Sequence, residues 1–115
     1  MLEKNIDLLC NGTTIASKVY IPETIREETK GAYKLDFGLD KAMMFMYNSE
    51  AMKIYDMMWM NRQIGFIALN KDKVIVKVGV MKPWRTWIIV KCMYFIELSP
   101  ERINGIKIGD KVAWT

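Results

Sequence analysis

The sequence predicts a single, mostly β domain: a small barrel-like or strongly curved antiparallel or mixed sheet with one or two short helices. Three observations carry that expectation. Short apolar runs are punctuated by turn residues, among them Asn11-Gly12, Asn70-Lys71-Asp72-Lys73, Asn104-Gly105 and Gly109-Asp110. The segment Phe66–Lys82 holds two β-branched, apolar runs on either side of four polar residues, the pattern of a hairpin closed through a type I turn. At 115 residues the chain is long enough to bury one core and too short for two.

The hairpin is the centre of this reading. Val74, Val76, Val78 and Val80 recur with period two, so one strand face is uniformly valine and is expected to be the core of the sheet. Ile75, Lys77, Gly79 and Met81 form the other face, a mixed set that suits partial exposure.

Upstream, Ile6–Leu9 and Thr14–Ile21 are strand-forming runs around Asn11-Gly12, whose tolerance of positive φ predicts a type I′ hairpin. Pro22 then ends the strand, because it cannot donate to a ladder. Thr24 and Glu27 make a capping box, with Lys30 and Gly31 at the far end, so a short helix is expected over Thr24–Gly31. Tyr33–Asp40 reads as a loop with apolar plugs. Ala42–Tyr47 and Lys53–Met60 read as two strands joined by Asn48-Ser49-Glu50, with a helix over Ser49–Met58 as the competitor. Lys82–Trp87 is a loop carrying two tryptophans around Arg85. Ile88–Leu98 is a long apolar strand, and Ser99-Pro100 opens a single helical turn. Ile106-Lys107-Ile108 is expected as a brief strand, followed by a turn and Lys111–Trp114.

Composition excludes several classes of function. There is no histidine, which removes Ser–His–Asp triads, Cys–His pairs and histidine metal sites. Cys10 and Cys92 lie far apart, neither in a CxxC motif, and are expected to be free buried thiols. Seven of the ten methionines fall between Met43 and Met60. They suit a soft-metal site or an adaptable binding surface, but the plainer expectation is that unbranched side chains fill an irregular core. No metal or other cofactor is expected. The chain has no apolar stretch of transmembrane length, and its first residues lack a basic region followed by an apolar one, so a cytoplasmic, membrane-free protein is expected.

The formal charge of +4 is uneven: residues 1–40 sum to −2 and residues 41–115 to +6. A basic surface for an anionic partner is one reading. Solvated lysines that protect sheet edges are the other, and the single, scattered placement of the lysines favours it.

Several of these features in order resemble the family Domain of Unknown Function 192. They are Thr24–Gly31 leading to Gly38-Leu39, the Met43-Met44-Phe45 run, Trp59-Met60, the central hairpin, Pro83, Tyr94-Phe95-Ile96-Glu97-Leu98, and the ending Gly105–Val112. The resemblance covers nearly the whole chain. It implies a compact, barrel-like β domain and no established activity. The chain departs from the family pattern after Trp59-Met60. Members typically continue with a polar Lys-Asn-Thr stretch and Pro-Leu-Asp, whereas Asn61-Arg62-Gln63-Ile64-Gly65 is shorter and has no Asp. If that stretch forms a site in relatives, its chemistry has changed in this chain. Many bacterial relatives look exported.

Two candidate sites stand out. One gathers Trp59, Asn61, Arg62, Trp84, Arg85 and Trp87, where indole faces beside guanidinium groups suit stacking on a ring or gripping an anion. The alternative is that Trp59 and one of the loop tryptophans are core and the arginines solvated. The other candidate is Asp110 at its glycine turn, whose plainer role is to hydrogen-bond local backbone. The expected function is a small non-catalytic binding module for a small molecule or a protein. A nucleic-acid-binding barrel that uses the basic surface and the Trp/Arg loops is the alternative. An enzyme using the carboxylates Asp56, Glu97 or Asp110 is a third reading, since paired carboxylates work without histidine.

Overall fold

The structure, a computed structural model, describes residues 2–22, 38–57, 60–85 and 87–114. The described residues form nine strands: β1 (Leu2–Lys4), β2 (Leu8–Cys10), β3 (Thr13–Ala16), β4 (Lys18–Ile21), β5 (Lys41–Asp56), β6 (Ile64–Leu69), β7 (Ile75–Met81), β8 (Trp87–Leu98) and β9 (Val112–Ala113). One 3₁₀ turn, Pro100–Ile103, follows β8. Six strands form a mixed sheet in the order β1-β4-β5-β8-β6-β7, and β3-β2-β9 form a smaller antiparallel one. The large sheet is open, with β1 and β7 at its edges, so the described strands form no closed barrel. The expected helix over Thr24–Gly31 and most of the Tyr33–Asp40 loop lie outside the described residues.

The two turns chosen for their chemistry are as expected. Asn11 and Gly12 both take positive φ, 53° and 78°, and close the β2–β3 hairpin. That second strand is then interrupted at Ser17: β3 stays in the small sheet, while β4 crosses to the large one beside β1 and β5. At the central hairpin Asn70 Oδ1 accepts from the backbone N–H groups of Asp72 and Val74, and Lys73 takes φ 62°. This is a type I turn completed by a left-handed residue.

A bulge near that turn changes which side chains of β7 face the core. Leu69 pairs with Ile75 but Ala68 pairs with Lys77, so Val76 is an extra residue and the alternation resets. Ile75 and Met81 are fully buried, Val76 and Val78 are partly buried, and Val80 is 36% exposed. The expectation of a uniform buried valine face is therefore corrected. Its partner β6 is buried at every position, which shows that both faces of the sheet are covered.

The cover comes from two directions. On one face the small sheet encloses Leu8, Cys10, Ile15, Met44, Ile67, Leu69, Ile75, Ile96 and Val112. On the other face the chain covers itself. β5 is one continuous strand, not two strands joined at Asn48-Ser49-Glu50, and no helix forms over Ser49–Asp56. It pairs with β8 at Ala42–Met46 and again at Ala51–Asp56, while Tyr47–Glu50 lie opposite Met93 alone. This wide irregularity bends the pair sharply. The distal ribbon, Ala51–Asp56 with Trp87–Cys92, folds back over the sheet it came from. Tyr55, opposite Ile88 in the ribbon, stacks on Phe95 of the sheet with ring centroids 3.6 Å apart. Ile88, Val90 and Cys92 then share a core with Met43, Phe45, Ile64, Phe66 and Met81. The polar tripeptide looked like a reversal because its residues favour turns. Here the long template of β8 holds both halves of β5 in one direction.

After β8, Gly105 turns the chain with φ 81°, but Ile106–Ile108 form no strand. That stretch is a loop whose turn at Lys107–Asp110 docks on β7: Ile75 donates to the Asp110 carbonyl at 2.8 Å and Gly109 to the Ile75 carbonyl at 2.9 Å. Cys10 and Cys92 are both free and buried, one in each core.

The corrected face assignment is directly testable. Ile75→Asp places a carboxylate in a site with 1% exposure and is expected to abolish stable folding, whereas Val80→Asp shifts the melting temperature little. Equal melting temperatures for the two variants would overturn the assignment.

Candidate functional site

The fold-back places the end of β5, the entry to β6, the exit of β7 and the start of β8 at one end of the molecule. Ile64 pairs with Met81, and the Trp84 N–H donates to the Met57 carbonyl at 2.9 Å, tying the β7–β8 loop to the end of β5. Trp84 accepts a left-handed backbone, φ 64°, in the process. A bulky residue there stores strain of about 1 kcal/mol or more. Asn61, Arg62, Trp84, Arg85 and Trp87 are thus brought to the same end; Trp59 lies outside the described residues. Asn61 and Arg85 are exposed and Arg62 is half-buried. Trp84 and Trp87 are 50% and 59% exposed, which places neither indole in the core.

Trp87 continues into a larger surface that the sequence did not reveal. In the ribbon, Met52 pairs with Lys91, Ile54 with Ile89, and Asp56 with Trp87. These six side chains occupy the outer face, because the alternating residues Lys53, Tyr55, Ile88, Val90 and Cys92 turn inward. Four of the six are large and apolar: Met52, Ile54, Trp87 and Ile89, each 58–65% exposed. The signal was hidden because both faces of Trp87–Cys92 are apolar, with Lys91 the one marker of the outside. Lys53 misleads, since its ammonium lies inward over the Tyr47 ring, 4.1 Å from the centroid.

Behind this face is a polar cluster inside an apolar core. The Tyr47 and Tyr55 hydroxyls are 2.6 Å apart, and the Cys92 thiol hydrogen-bonds Tyr55. Burial, reinforced by the Tyr47 hydrogen bond, pushes the Tyr55 ionisation well above its usual range. Burial also raises Cys92, opposed by the Tyr55 hydrogen bond and Lys53. Tyr55 and Cys92 are therefore neutral at physiological pH. The methionines are distributed as packing: Met43, Met57 and Met60 line one core, Met44 the other, and Met46 and Met52 are exposed.

The carboxylates do not converge. Asp56 is on the outer face of the ribbon. Glu97, in register with Met43 and Phe66, points from the sheet into the core beneath it. Asp110 sits at the opposite end of β7, where it accepts from the Lys107 N–H at 2.9 Å and from Asn11 Nδ2 at 3.0 Å. Those two hydrogen bonds, the backbone one first, hold its ionisation below the usual carboxylate range. Asp110 therefore staples the β2–β3 turn to the C-terminal loop, at the other end of β7 from Trp84 and Trp87. Near it an open depression of about 240 Å³ is lined by Thr14, Arg102, Asn104 and Ile106 among others. Among the described residues no three His, Cys, Asp or Glu side chains come together to hold a metal.

This geometry defines a class: a small, mostly β domain of one open six-stranded sheet and a three-stranded one, with an apolar, aromatic-tipped outer ribbon. A protein of Sinorhizobium meliloti 1021, described only as a candidate transcription regulator, shares the fold with a TM-score of 0.83 at 16% identity, over 98% of this chain and 94% of its own. A protein of unknown function from Novosphingobium aromaticivorans DSM 12444 has a TM-score of 0.77 at 21% identity, over 94% and 84%. A family model described as uncharacterized ACR, Domain of Unknown Function 192, matches residues 8–114, and the chain belongs to that family. A UPF0127 protein of Pyrococcus abyssi is 29% identical over 59 residues. That match takes in 49% of this chain, and the chain spans about half the length of this curated relative. No helix among the described residues is long and apolar enough to cross a membrane.

Two measurements probe this region. Trp84→Ala is expected to cost about 1 kcal/mol, far from the roughly 3–5 kcal/mol of a core aromatic; a loss in the larger range would return Trp84 to the scaffold. Glu97 is 6% exposed, and burial pushes its ionisation up to about 8 from an ordinary 4.5. Below pH 4.5 folded and unfolded chains both hold the proton; between 4.5 and 8 only the folded chain keeps it. Stability thus falls as pH rises through that window, by about 1.4 kcal/mol per pH unit, and levels off above it. Glu97→Gln is expected to flatten the melting-temperature profile between pH 5 and pH 8. An unchanged slope would mean that other groups govern it.

Proposed function

We propose that this chain is a non-catalytic binding module whose contact surface is the outer face of the β5–β8 ribbon together with the Trp84–Arg85 loop. One observation carries the reading: Met52, Ile54, Trp87 and Ile89 occupy adjacent register positions and remain 58–65% exposed on a ribbon whose inner face is core. Contiguous apolar area of this kind marks interaction sites in folded proteins. A strand face is flat, so it suits a macromolecular surface better than a small ligand, which needs a concave pocket. The tie between Trp84 and Met57 fixes the loop in advance and lowers the entropy cost of association.

Nucleic acid is the second reading, favoured by Trp84 and Trp87 flanking Arg85 with Arg62 at the same end. Exposed indoles stack on bases, and guanidinium groups grip phosphate. It ranks second because Met52, Ile54 and Ile89 supply neither stacking planes nor charge.

The paired substitution Ile54→Ser with Ile89→Ser tests the surface against the scaffold. Expected is a melting temperature within a few degrees of the parent, with at least half of any fluorescence enhancement of the apolar dye anilinonaphthalene sulfonate lost. A destabilisation above about 2 kcal/mol would show that these side chains support the fold and would sink the reading.

A further inference from the structure

The ribbon is the outer layer on its side of the sheet, and the make-up of its face points to what it meets. Met52, Ile54 and Asp56 on β5 lie opposite Lys91, Ile89 and Trp87 on β8, a plane two strands wide. Exposed Trp84 and Arg85 stand in the loop that leads into Trp87. From this we propose that the face docks on the surface of an anionic phospholipid bilayer. The proposal rests on the binding-module reading and names the partner of that site.

Three features favour lipid over protein. The first is shape. A protein partner is held by anchors that fill pockets, and a two-stranded face presents side chains, not recesses. The second is size. Five residues of strand span roughly 16 Å, and the contact falls below the ~800 Å² per partner of standard protein interfaces. A bilayer asks for neither shape complementarity nor a minimum area, because binding grows with the apolar area immersed and with attraction to the headgroups. The third is the order of the side chains. Met52, Ile54 and Ile89 form an apolar centre, both indoles stand toward the tip, and the exposed cations Lys91 and Arg85 flank the centre from root and tip.

Each group then has its level in the interface. Isoleucine and methionine enter the acyl boundary, and the indoles sit among the headgroups. The long Lys91 and Arg85 side chains reach back to phosphate. Residues 41–115, which carry the face, sum to +6, so the attraction to anionic lipid is not confined to these two. Asp56, the one acid on the face, is exposed at its rim and already has a partner within the chain, so seating the isoleucines does not require its burial. A chain without an apolar stretch of transmembrane length can bind in this way, lying on one leaflet. The apolar area offered is of the order of one acyl chain, so binding is reversible, with a partition constant of about 10⁴ M⁻¹.

Flotation of the full chain with vesicles tests this at about 1 mM lipid, using phosphatidylcholine alone or with about 30 mol% phosphatidylglycerol. Expected is that most of the chain floats with the anionic vesicles and at least about fivefold less with the neutral ones. Ile54→Asp is expected to lower anionic binding at least about tenfold, with the melting temperature of the lipid-free chain within a few degrees of the parent. Lys91→Glu is expected to weaken binding to anionic vesicles and to leave binding to neutral ones unchanged. Bromine-labelled acyl chains are expected to quench the indole emission of the parent chain, and a smaller fraction of it in Trp87→Phe. A parent chain that floats with neither vesicle would overturn lipid docking and leave the binding-module reading standing. A strongly lowered melting temperature for Ile54→Asp would overturn both, since the face would then be scaffold. Binding that ignores Ile54→Asp and vanishes in about 0.5 M salt would be charge attraction alone and would remove the ribbon from it. A chain that ignores vesicles, binds fluorescein-labelled oligothymidylate and loses it on Trp87→Ala would assign the face to nucleic acid instead.

Discussion

The structure depends on the contact between Tyr55 and Phe95. These rings lie 3.6 Å apart at 12°, one at the tip of the ribbon and the other in the central sheet. Phe66 also stacks on Phe95, with centroids 5.5 Å apart, and Phe45 tilts against both Tyr55 and Phe95. Without this aromatic column the distal half of the β5–β8 pair would be an isolated two-stranded ribbon, which is marginal in water. With it, the ribbon becomes a third layer. The irregularity at Tyr47–Glu50 supplies the bend, and Glu50 holds it in place by accepting from the Lys71 N–H at 2.7 Å.

From that constraint the other features follow. A sheet covered by the small sheet on one face and by its own ribbon on the other has no wet side, so β6 is apolar throughout and β7 must distribute its side chains between two cores. The bulge at Val76 performs that distribution. The ribbon in turn acquires an outer face with nothing left in the described chain to cover it. Four of its six side chains, Met52, Ile54, Trp87 and Ile89, are large, apolar and exposed.

The sequence conveyed local chemistry better than long-range placement. Asn11-Gly12, Asn70–Lys73 and Gly105 were legible because each turn type needs particular residues at fixed positions. The family resemblance was legible because motif order survives when individual positions drift. Asp110 was legible as a local staple, and the tryptophans only as an alternative between site and core. The ribbon face was not legible, because Lys53 marks as outward a face that is buried, and the apolar residues facing solvent look like core. The continuity of β5 was hidden by Asn48-Ser49, whose turn preference is overridden by eleven pairings with one long neighbour. The bulge that displaces Val76 has no local signature, since it answers to a mismatch between two strands.

The separation of the two thiols gives the molecule a pair of independent reporters. Cys10 lies in the core closed by the small sheet, and Cys92 in the core closed by the folded ribbon. A thiol reagent reaches the first when the small sheet detaches and the second when the ribbon lifts. Trapping rates at the two positions would therefore show whether the layers open together or one at a time, in native protein and with no label introduced.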